Sequence, residues 1–391
     1  MYIEREINEK FEKVSKVYNI VAIVGPRQAG KTTFLKEKGK IDASYLSFDD
    51  PDVLGMFEDI KKFEHFYLSN KITILDEVQY ATNSGIKLKY LADKGKKIWI
   101  TSSSEVILGK EVLSYLVGRA TILRIYPFSW NEFLLSKGKS SENEFPERQI
   151  ERFLLEHILF GGYPKVVLSD NIEMKKIILK DLYDLMILKD VAKTFSINDL
   201  TTLQKFTKFL AHNIGNCLVY ETLSNSLNIS FETIKKYLDA LEKSYLIIQI
   251  SPFFTNKTKE IIKQPKIYFI DTGMRNVIID NFETTIQGNL FENYVLSELV
   301  KLGITPKYWR SKSKAEVDFI LDFNNSLIPI EVKLNEDKIG KSLYSFIEIY
   351  KPKYAFIVNY KTIQKTIKIK NCKVFFCNIL KLKEKIKEIK N

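Results

Sequence analysis

The chain has 391 residues, 45% hydrophobic and 28% charged, which excludes a fibrous or wholly disordered polypeptide and leaves room for roughly two to four packed cores. Three scattered cysteines and three histidines exclude a disulfide framework and a zinc site, and no apolar run approaches the ~18 residues of a membrane span. The formal charge of +12 permits an anionic partner such as nucleic acid, but lysine is spread along the chain beside glutamate and describes a solvated surface equally well.

The start, MYIEREINEK, is too charged for a signal peptide, and a reduced, cytoplasmic protein is expected. Ile3, Ile7, Phe11 and Val14 recur at spacings of three and four, which predicts a short amphipathic helix over residues 1–18. Ile20 to Val24 is an uncharged run with β-branched residues and reads as a buried parallel strand. It runs into Gly25-Pro26-Arg27-Gln28-Ala29-Gly30 and then Lys31-Thr32-Thr33, which opens a helix. This is G-x-x-x-x-G-K-[ST], the phosphate-binding loop. The two glycines let the backbone curl so that successive N–H groups face phosphate oxygens beside a positive helix end. Lys31 is placed to reach the terminal phosphates of ATP, and the Thr32 hydroxyl to ligate the Mg²⁺ that bridges them.

Ala43 to Phe48 predicts a second strand, and helical sequence follows through Phe57 to Leu68. Lys71 to Gln79 (KITILDEVQ) is an apolar strand closing on Asp76 and Glu77. Such a strand after a phosphate loop suits a second nucleotide motif, with Asp76 holding Mg²⁺ through water and Glu77 polarising the attacking water. Lys96 to Thr101 predicts another buried strand, opening into Ser102-Ser103-Ser104. These hydroxyls are either sensors at the carboxyl end of a parallel strand or a loop and helix cap. Arg119, in Leu116-Val117-Gly118-Arg119-Ala120, either completes a γ-phosphate site, in its own subunit or a neighbour's, or is a structural ion-pair partner. A strand from Thr121 to Ile125 and the stretch Tyr126-Pro-Phe-Ser-Trp-Asn-Glu-Phe133 follow.

Together GPRQAGKT, ILDEVQ, ITSSS, VGRA and YPFSWNEF resemble the AAA+-like ATPases of archaea and bacteria that lack assigned substrates. These are commonly fused to a C-terminal domain of unknown function and are related to the STAND-type switch ATPases. The resemblance implies Lys31 and Thr32 at the phosphates and magnesium, Asp76 and Glu77 as the Walker B acids, a sensor near Ser103 and an arginine finger at Arg119. One departure is Ser102, where the family usually carries glycine before the serine.

Residues 136–150 are polar and read as a linker, after which a helix from Ile150 to Leu159 runs into Phe160-Gly161-Gly162-Tyr163-Pro164. Gly161 and Gly162 allow a sharp helix end there. In the family a GGYP turn belongs to a helical lid, and here Tyr163 and Pro164 are either adenine contacts or a structural turn. Helices continue through Ile172 to Lys189, and Leu188 to Val191 matches an LKDV-like stretch of the family. From 201 to 265 the pattern changes to a helix over Leu203–Asn213, a short one over Tyr220–Leu227, and a third that Ser230 caps. A strand, Leu246 to Ile250, and a basic stretch with Lys257, Lys259, Lys263 and Lys266 complete what resembles a winged helix. It serves either DNA, with Lys235, Lys236 and Lys243 on the third helix, or a protein partner.

Beyond 266, Glu292 lies on an amphipathic helix, Asp318 on the strand EVDFIL, and Glu331 with Lys333 on LIPIEVKL, where i and i+2 share a face. Asp, then Glu-x-Lys across a hairpin, resembles the PD-(D/E)XK nuclease-like fold. The resemblance implies a Mg²⁺ or Mn²⁺ site of Asp318 and Glu331, with Lys333 on the water and Glu292 closing the cluster; whether it cleaves nucleic acid stays open.

The expected fold class is α/β: a P-loop NTPase parallel sheet (1–135) with a helical lid (136–200), a winged helix (201–265) and an α/β PD-(D/E)XK nuclease-like domain (266–391). The expected function is Mg-dependent ATP binding and hydrolysis that switches these modules on DNA, RNA or a protein partner, as a monomer or a homo-oligomer and away from membranes. The alternatives are a nucleotide-gated nuclease and a non-catalytic nucleotide-dependent binding switch.

Overall fold

A computed structural model describes every residue except 1, 69–70, 104–107, 110–111, 139–144, 255–259, 261–263, 312, 324–325, 336–337, 362–363 and 391. The amino-terminal unit runs α1 (Asn8–Val17), β1 (Ile20–Val24), α2 (Lys31–Lys38), β2 (Ala43–Ser47), α3 (Pro51–Glu58), α4 (Ile60–Tyr67), β3 (Ile72–Asp76), α5 (Ser84–Asp93), β4 (Lys97–Ser102) and β5 (Ala120–Arg124). All five strands are parallel, in the order β2-β3-β4-β1-β5. Every residue of β1 is buried, as its uniform apolar run demands of a strand covered on both faces. The loops after β1, β3 and β4 therefore open at one carboxyl edge, where ligands of such sheets bind. The helical stretch expected over 57–68 is two helices, because Asp59 accepts from the Lys61 and Lys62 amides and starts a second one.

A helical layer follows: α6 (Trp130–Ser136), α7 (Glu147–Phe160), α8 (Pro164–Val167), α9 (Ile172–Leu185) and a π-helical stretch, Met186–Lys193. Next come α10 (Leu200–His212), α11 (Tyr220–Leu227) and α12 (Phe231–Lys243), the last capped by the Ser230 hydroxyl, which accepts from the Thr233 amide at 3.1 Å. A hairpin, β6 (Ile247–Ile250) with β7 (Lys266–Phe269), ends this part, and Cys217 forms an isolated antiparallel bridge to Lys266. The expectation that the last module begins at 266 needs correction, because β7 pairs with β6 in the preceding hairpin.

Then α13 (Thr272–Ile278) and α14 (Gly288–Lys301) lead into β8 (Lys307–Arg310), β9 (Glu316–Phe323), β10 (Ser326–Lys333), α15 (Lys341–Tyr350), β11 (Tyr354–Asn359), β12 (Lys365–Ile369), β13 (Cys372–Cys377) and α16 (Ile379–Lys390). This six-stranded sheet has the order β12-β13-β11-β10-β9-β8, with β8, β9 and β10 antiparallel in turn and α15 crossing over to the parallel β11. Its core is shared: Trp130 and Phe133 of α6 pack in one cluster with Phe291, Tyr294 and Leu296 of α14. Among the described residues no helix is long and apolar enough to cross a membrane.

Candidate nucleotide site

The loop from Gly25 to Lys31 curls as its glycines require. A Cβ at Gly25 would lie 1.9 Å from the Ile125 carbonyl oxygen, and Gly30 has φ +97°, so neither position accepts another residue without strain. Gln28 adds a third positive φ, of 58°. Pro26 and Ala29 close the turn, the Ala29 amide donating to the Pro26 carbonyl at 3.3 Å. Lys31 is buried, and its Nζ donates to the Gly25 and Pro26 carbonyls, both at 3.0 Å. Burial draws its pKa down, while Glu77, Asp190 and Asp76 oppose the shift. The ammonium thus stands inside the ring of backbone that would surround a phosphate.

Thr32 and Asp76 meet across the edge of the sheet, the hydroxyl donating to Asp76 Oδ1 at 2.8 Å. Thr101 of β4 donates to the same oxygen, and Tyr45 of β2 donates to Oδ2 at 2.7 Å. One helix and two strands thereby fix one buried carboxylate. Glu77, immediately after it, adopts φ 55°, a left-handed conformation uncommon outside glycine, and its amide donates to Thr101 Oγ1 at 3.0 Å. Gln79 donates to Glu77 Oε2, and the Ser103 hydroxyl donates to the same oxygen at 3.2 Å. Ser103, expected as a sensor, therefore touches Glu77. Ser102 ends β4 in extended conformation with no positive φ, so the usual glycine is not required there; Ser104 lies outside the described residues.

The structure does not bring Arg119 to this edge. It precedes β5 at the amino end of the parallel sheet, where its Nε donates to Asp93 and its Nη1 to the Val117 carbonyl at 3.3 Å. Within one chain it pairs with Asp93, not with the loop.

Two arginines tie the loop to the rest of the chain: Arg27, expected in the loop itself, and Arg5, which the sequence did not single out. Arg27 makes a bidentate pair with Asp190 of the π-helical stretch, at 2.9 and 2.8 Å, and this contact raises its pKa. Arg5, ahead of α1, donates to the Ala29 carbonyl at 2.8 Å, the Tyr126 carbonyl at 2.5 Å and Glu132 Oε1 at 3.0 Å. Glu132 is itself fixed by a capping box with Ser129, the S-x-x-E within YPFSWNEF. The LKDV-like stretch pointed to Asp190; no local pattern marks Arg5.

Beside the start of α2 lies a cavity of about 220 Å³, lined by Tyr2, Ile3, Gly30, Thr33, Phe128 and Pro164 among others. The Tyr2 hydroxyl is buried without a partner among the described residues. Pro164 of the GGYP turn thus faces the loop, whereas Tyr163 points into the core and donates to Met186 Sδ at 3.6 Å. The paired glycines answer to packing: a Cβ at Gly161 would strike the Asp271 carboxylate and one at Gly162 the Phe128 carbonyl, at 1.9 and 2.2 Å.

At the far end of the chain, Glu292, Asp318, Glu331 and Lys333 gather at one end of the last sheet. The Ile330–Phe319 register sets Glu331 beside Asp318, whose Oδ2 accepts from the Val332 amide at 2.7 Å. Lys333 Nζ lies 3.6 Å from Glu331 Oε1. Burial and the neighbouring Glu292 push the Asp318 carboxyl well above its usual range, with Lys266 opposing. Lys266, expected on an exposed basic wing, is only 2% exposed, with its Nζ 2.5 Å from Glu316 and 3.4 Å from Glu292. Among the described residues no group of three or more His, Cys, Asp or Glu could hold a metal ion. The expected Mg²⁺ or Mn²⁺ would rest on two carboxylates, Asp318 and Glu331, with the Lys266 ammonium already paired to the neighbouring Glu292 and Glu316.

The remaining lysines of the nucleic-acid expectation are engaged within the chain where they are described. Lys235 lies over the Phe231 ring, Lys236 donates to the Ser196 carbonyl, and Lys243 pairs with Asp239. Lys257, Lys259 and Lys263 lie outside the described residues.

Residues 17–134 match the model of a family described as an AAA domain, 151–285 a domain of unknown function (DUF8612), and 287–379 another (DUF4143). The chain is 30% identical to the uncharacterized protein MJ1544 of Methanocaldococcus jannaschii, over 88% of its own length and 81% of that protein's. It is 26% identical to an uncharacterized protein of Haemophilus influenzae, over 80% and 82%. Among solved structures it is similar to a STAND protein with a tetratricopeptide repeat sensor from Pyrococcus horikoshii (15% identity, 75% of this chain, 45% of that one, TM-score 0.31). It is also similar to a point variant of RuvB from Thermotoga maritima (14% identity, 63% and 90%, TM-score 0.34). Both structural likenesses are too distant to bear on function.

Proposed function

Because this chain belongs to the family of the Methanocaldococcus jannaschii protein MJ1544 and carries an AAA domain, a nucleotide-dependent ATPase of general kind, we propose that it is a magnesium-dependent AAA+-like switch ATPase. The observation that carries this reading is the convergence of Lys31, Thr32, Asp76, Glu77 and Ser103 on one edge of the parallel sheet. Lys31 leaves the Gly25 and Pro26 carbonyls for the terminal phosphates of ATP, exchanging one set of oxygen acceptors for another. The Thr32 hydroxyl and Asp76, already 2.8 Å apart, are the residues that would hold Mg²⁺. When bound, that ion neutralises phosphate charge. Glu77 takes the proton of the attacking water, and Gln79 and Ser103 hold its carboxylate in line. The base of ATP occupies the cavity of Tyr2 and Pro164, where the buried Tyr2 hydroxyl finds an acceptor.

Transmission runs through Arg27, which ties the phosphate loop to Asp190 and so to the helical layer. We read residues 201–265, with β7, as a winged helix, and α14 to β11 as PD-(D/E)XK nuclease-like. Three helices with a hairpin support the first, and the order helix, three antiparallel strands, helix, parallel strand supports the second. These modules present nucleic acid or a protein partner to the switch. Arg119 acts on nucleotide only across a subunit boundary, a role that requires turnover per chain to rise with protein concentration.

The test is calorimetry and turnover on two variants. Lys31→Ala loses tight Mg·ATP binding, whereas Glu77→Gln keeps the affinity and loses about 100-fold or more in rate. Full-affinity binding by Lys31→Ala removes the site. Turnover with and without single- and double-stranded DNA and RNA then separates a nucleic-acid partner, which stimulates it, from a protein partner.

A further inference from the structure

The cluster at the end of the last sheet collects four carboxylates, from Glu292 on α14, Glu316 and Asp318 on β9, and Glu331 on β10. Burying so much negative charge is costly unless a cation accompanies it. A nuclease of this topology would use a divalent metal. Lys333 lies beside Glu331 at the rim, and a second, buried cation arrives from β7 of the preceding hairpin.

Alternation along that short strand divides its side chains between two neighbours. Ile267 and Phe269 enter the core of the helical layer. Lys266 and Tyr268 point the other way. The Lys266 ammonium lies 2.5 Å from Glu316 Oε1 and 3.4 Å from Glu292 Oε1, and the Tyr268 hydroxyl donates to Glu292. Its carbon stem is buried, with the ammonium 5.5 Å over the Tyr308 ring. The ammonium also acts electrostatically on Asp318, so a divalent ion held by Asp318 and Glu331 would meet a positive charge already in place and be repelled by it.

We propose that Lys266 is the resident cation of this cluster, an ammonium standing where a nuclease-like fold would gather its metal. The carboxylates are then a clasp between the β6–β7 hairpin and the C-terminal sheet, not a hydrolytic centre. An ammonium supplies charge but no open coordination position, so it cannot bind and acidify a water. The inference rests on the nuclease-like reading of the fold, and it holds whether or not ATP is turned over.

The experiment is Mn²⁺ titration of the full chain without nucleotide, followed by electron paramagnetic resonance. Comparison with Asp318→Asn separates this cluster from any ion held near Asp76. The wild type shows no Mn²⁺ site that depends on Asp318. Lys266→Ala gains one such site per chain, roughly tenfold or more tighter than any in the wild type, and the double variant Lys266→Ala, Asp318→Asn loses it. Lys266→Arg keeps the positive charge and gains nothing. Saturable wild-type binding that Asp318→Asn abolishes overturns the proposal. So does a folded Lys266→Ala that binds no Mn²⁺. Should Lys266→Ala fail to fold, the wild type and Asp318→Asn decide the matter alone.

Discussion

Arg5 carries out at one guanidinium what three separate contacts would otherwise need. Its planar fork reaches the Ala29 carbonyl in the phosphate loop, the Tyr126 carbonyl and the buried Glu132 carboxylate, while its face lies 4.9 Å from the Phe128 ring centre. Arg5→Met strands Glu132 without its cation, which we expect to cost about 3–5 kcal/mol in urea unfolding and to weaken ATP binding as the loop loosens. Arg5→Lys keeps the charge but not the fork, and recovers only part of either. An unchanged ATP affinity in a folded Arg5→Met would show that the loop holds its own shape. The residues proposed to meet nucleotide are legible in the sequence because their chemistry fixes their spacing: Lys31 and Thr32 follow Gly30 directly, and Asp76 and Glu77 close an apolar run. Arg5 is not, since its partners are 24 to 127 positions away and nothing local distinguishes this buried arginine from those on the surface. Arg119 misleads for the opposite reason. Its motif is visible, but only the strand order shows that it sits at the amino edge of the sheet.

Among the elements, the π-helical turn Met186–Lys193 is where the helical layer meets the phosphate loop. Widened turns of this kind re-aim side chains and are frequent at functional sites. Here Asp190 is turned onto Arg27, and its carbonyl accepts from the Ser244 hydroxyl at 2.9 Å, so one residue joins the loop to the end of α12. Asp190→Asn should therefore retain ATP binding but speed hydrogen exchange in residues 186–193, since the amide cannot pair with both guanidinium nitrogens as an ion. Exchange indistinguishable from wild type would place the coupling elsewhere. Apolar periodicity shows that a helix passes through this stretch but not that its turn widens. The sequence hides the allegiance of β7 for a related reason: strand pairing is non-local, and its partner β6 lies on the far side of a long polar segment. The GGYP turn does end a helix sharply, and its two glycines are intolerant of any side chain. The reason, the close approach of Asp271 and Phe128 from other parts of the chain, is invisible in the local pattern.

Across the whole molecule, His157 stands where three parts of the chain meet. It lies on α7, its Nε2 bonds the Phe128 carbonyl at 3.1 Å, and its Nδ1 bonds the Tyr294 hydroxyl on α14 at 2.9 Å. The carbonyl can only accept, so Nε2 carries the proton and the Tyr294 hydroxyl donates to Nδ1. A second proton, on Nδ1, would have to turn the Tyr294 hydroxyl into an acceptor and place a charge in a buried site. Burial, helped by the positive Lys301 and Lys383 and opposed by the negative Glu298, pulls the pKa from 6.5 down to about 3. The unfolded chain therefore takes up a proton below its ordinary pKa while the folded chain refuses it. The stability supplied by the neutral ring is complete above about pH 6.5 and is lost as pH falls toward 3. At 1.36 kcal/mol per pH unit the loss reaches roughly 2 kcal/mol by about pH 5. Asp271, which is buried, and the half-buried Asp318 have raised pKa values and titrate in the opposite sense: their burden on the fold is relieved as they protonate. The informative quantity is thus the difference in slope between wild type and His157→Gln, which keeps hydrogen-bonding capacity but does not titrate. Urea unfolding from pH 7.5 to 5 should show the wild type losing that ~2 kcal/mol relative to the variant, whatever the variant's absolute stability. Parallel curves would mean that the imidazole accepts its second proton in the folded protein, either with the Tyr294 hydroxyl turned to accept from Nδ1 or with the junction between the parallel sheet and the C-terminal domain opened.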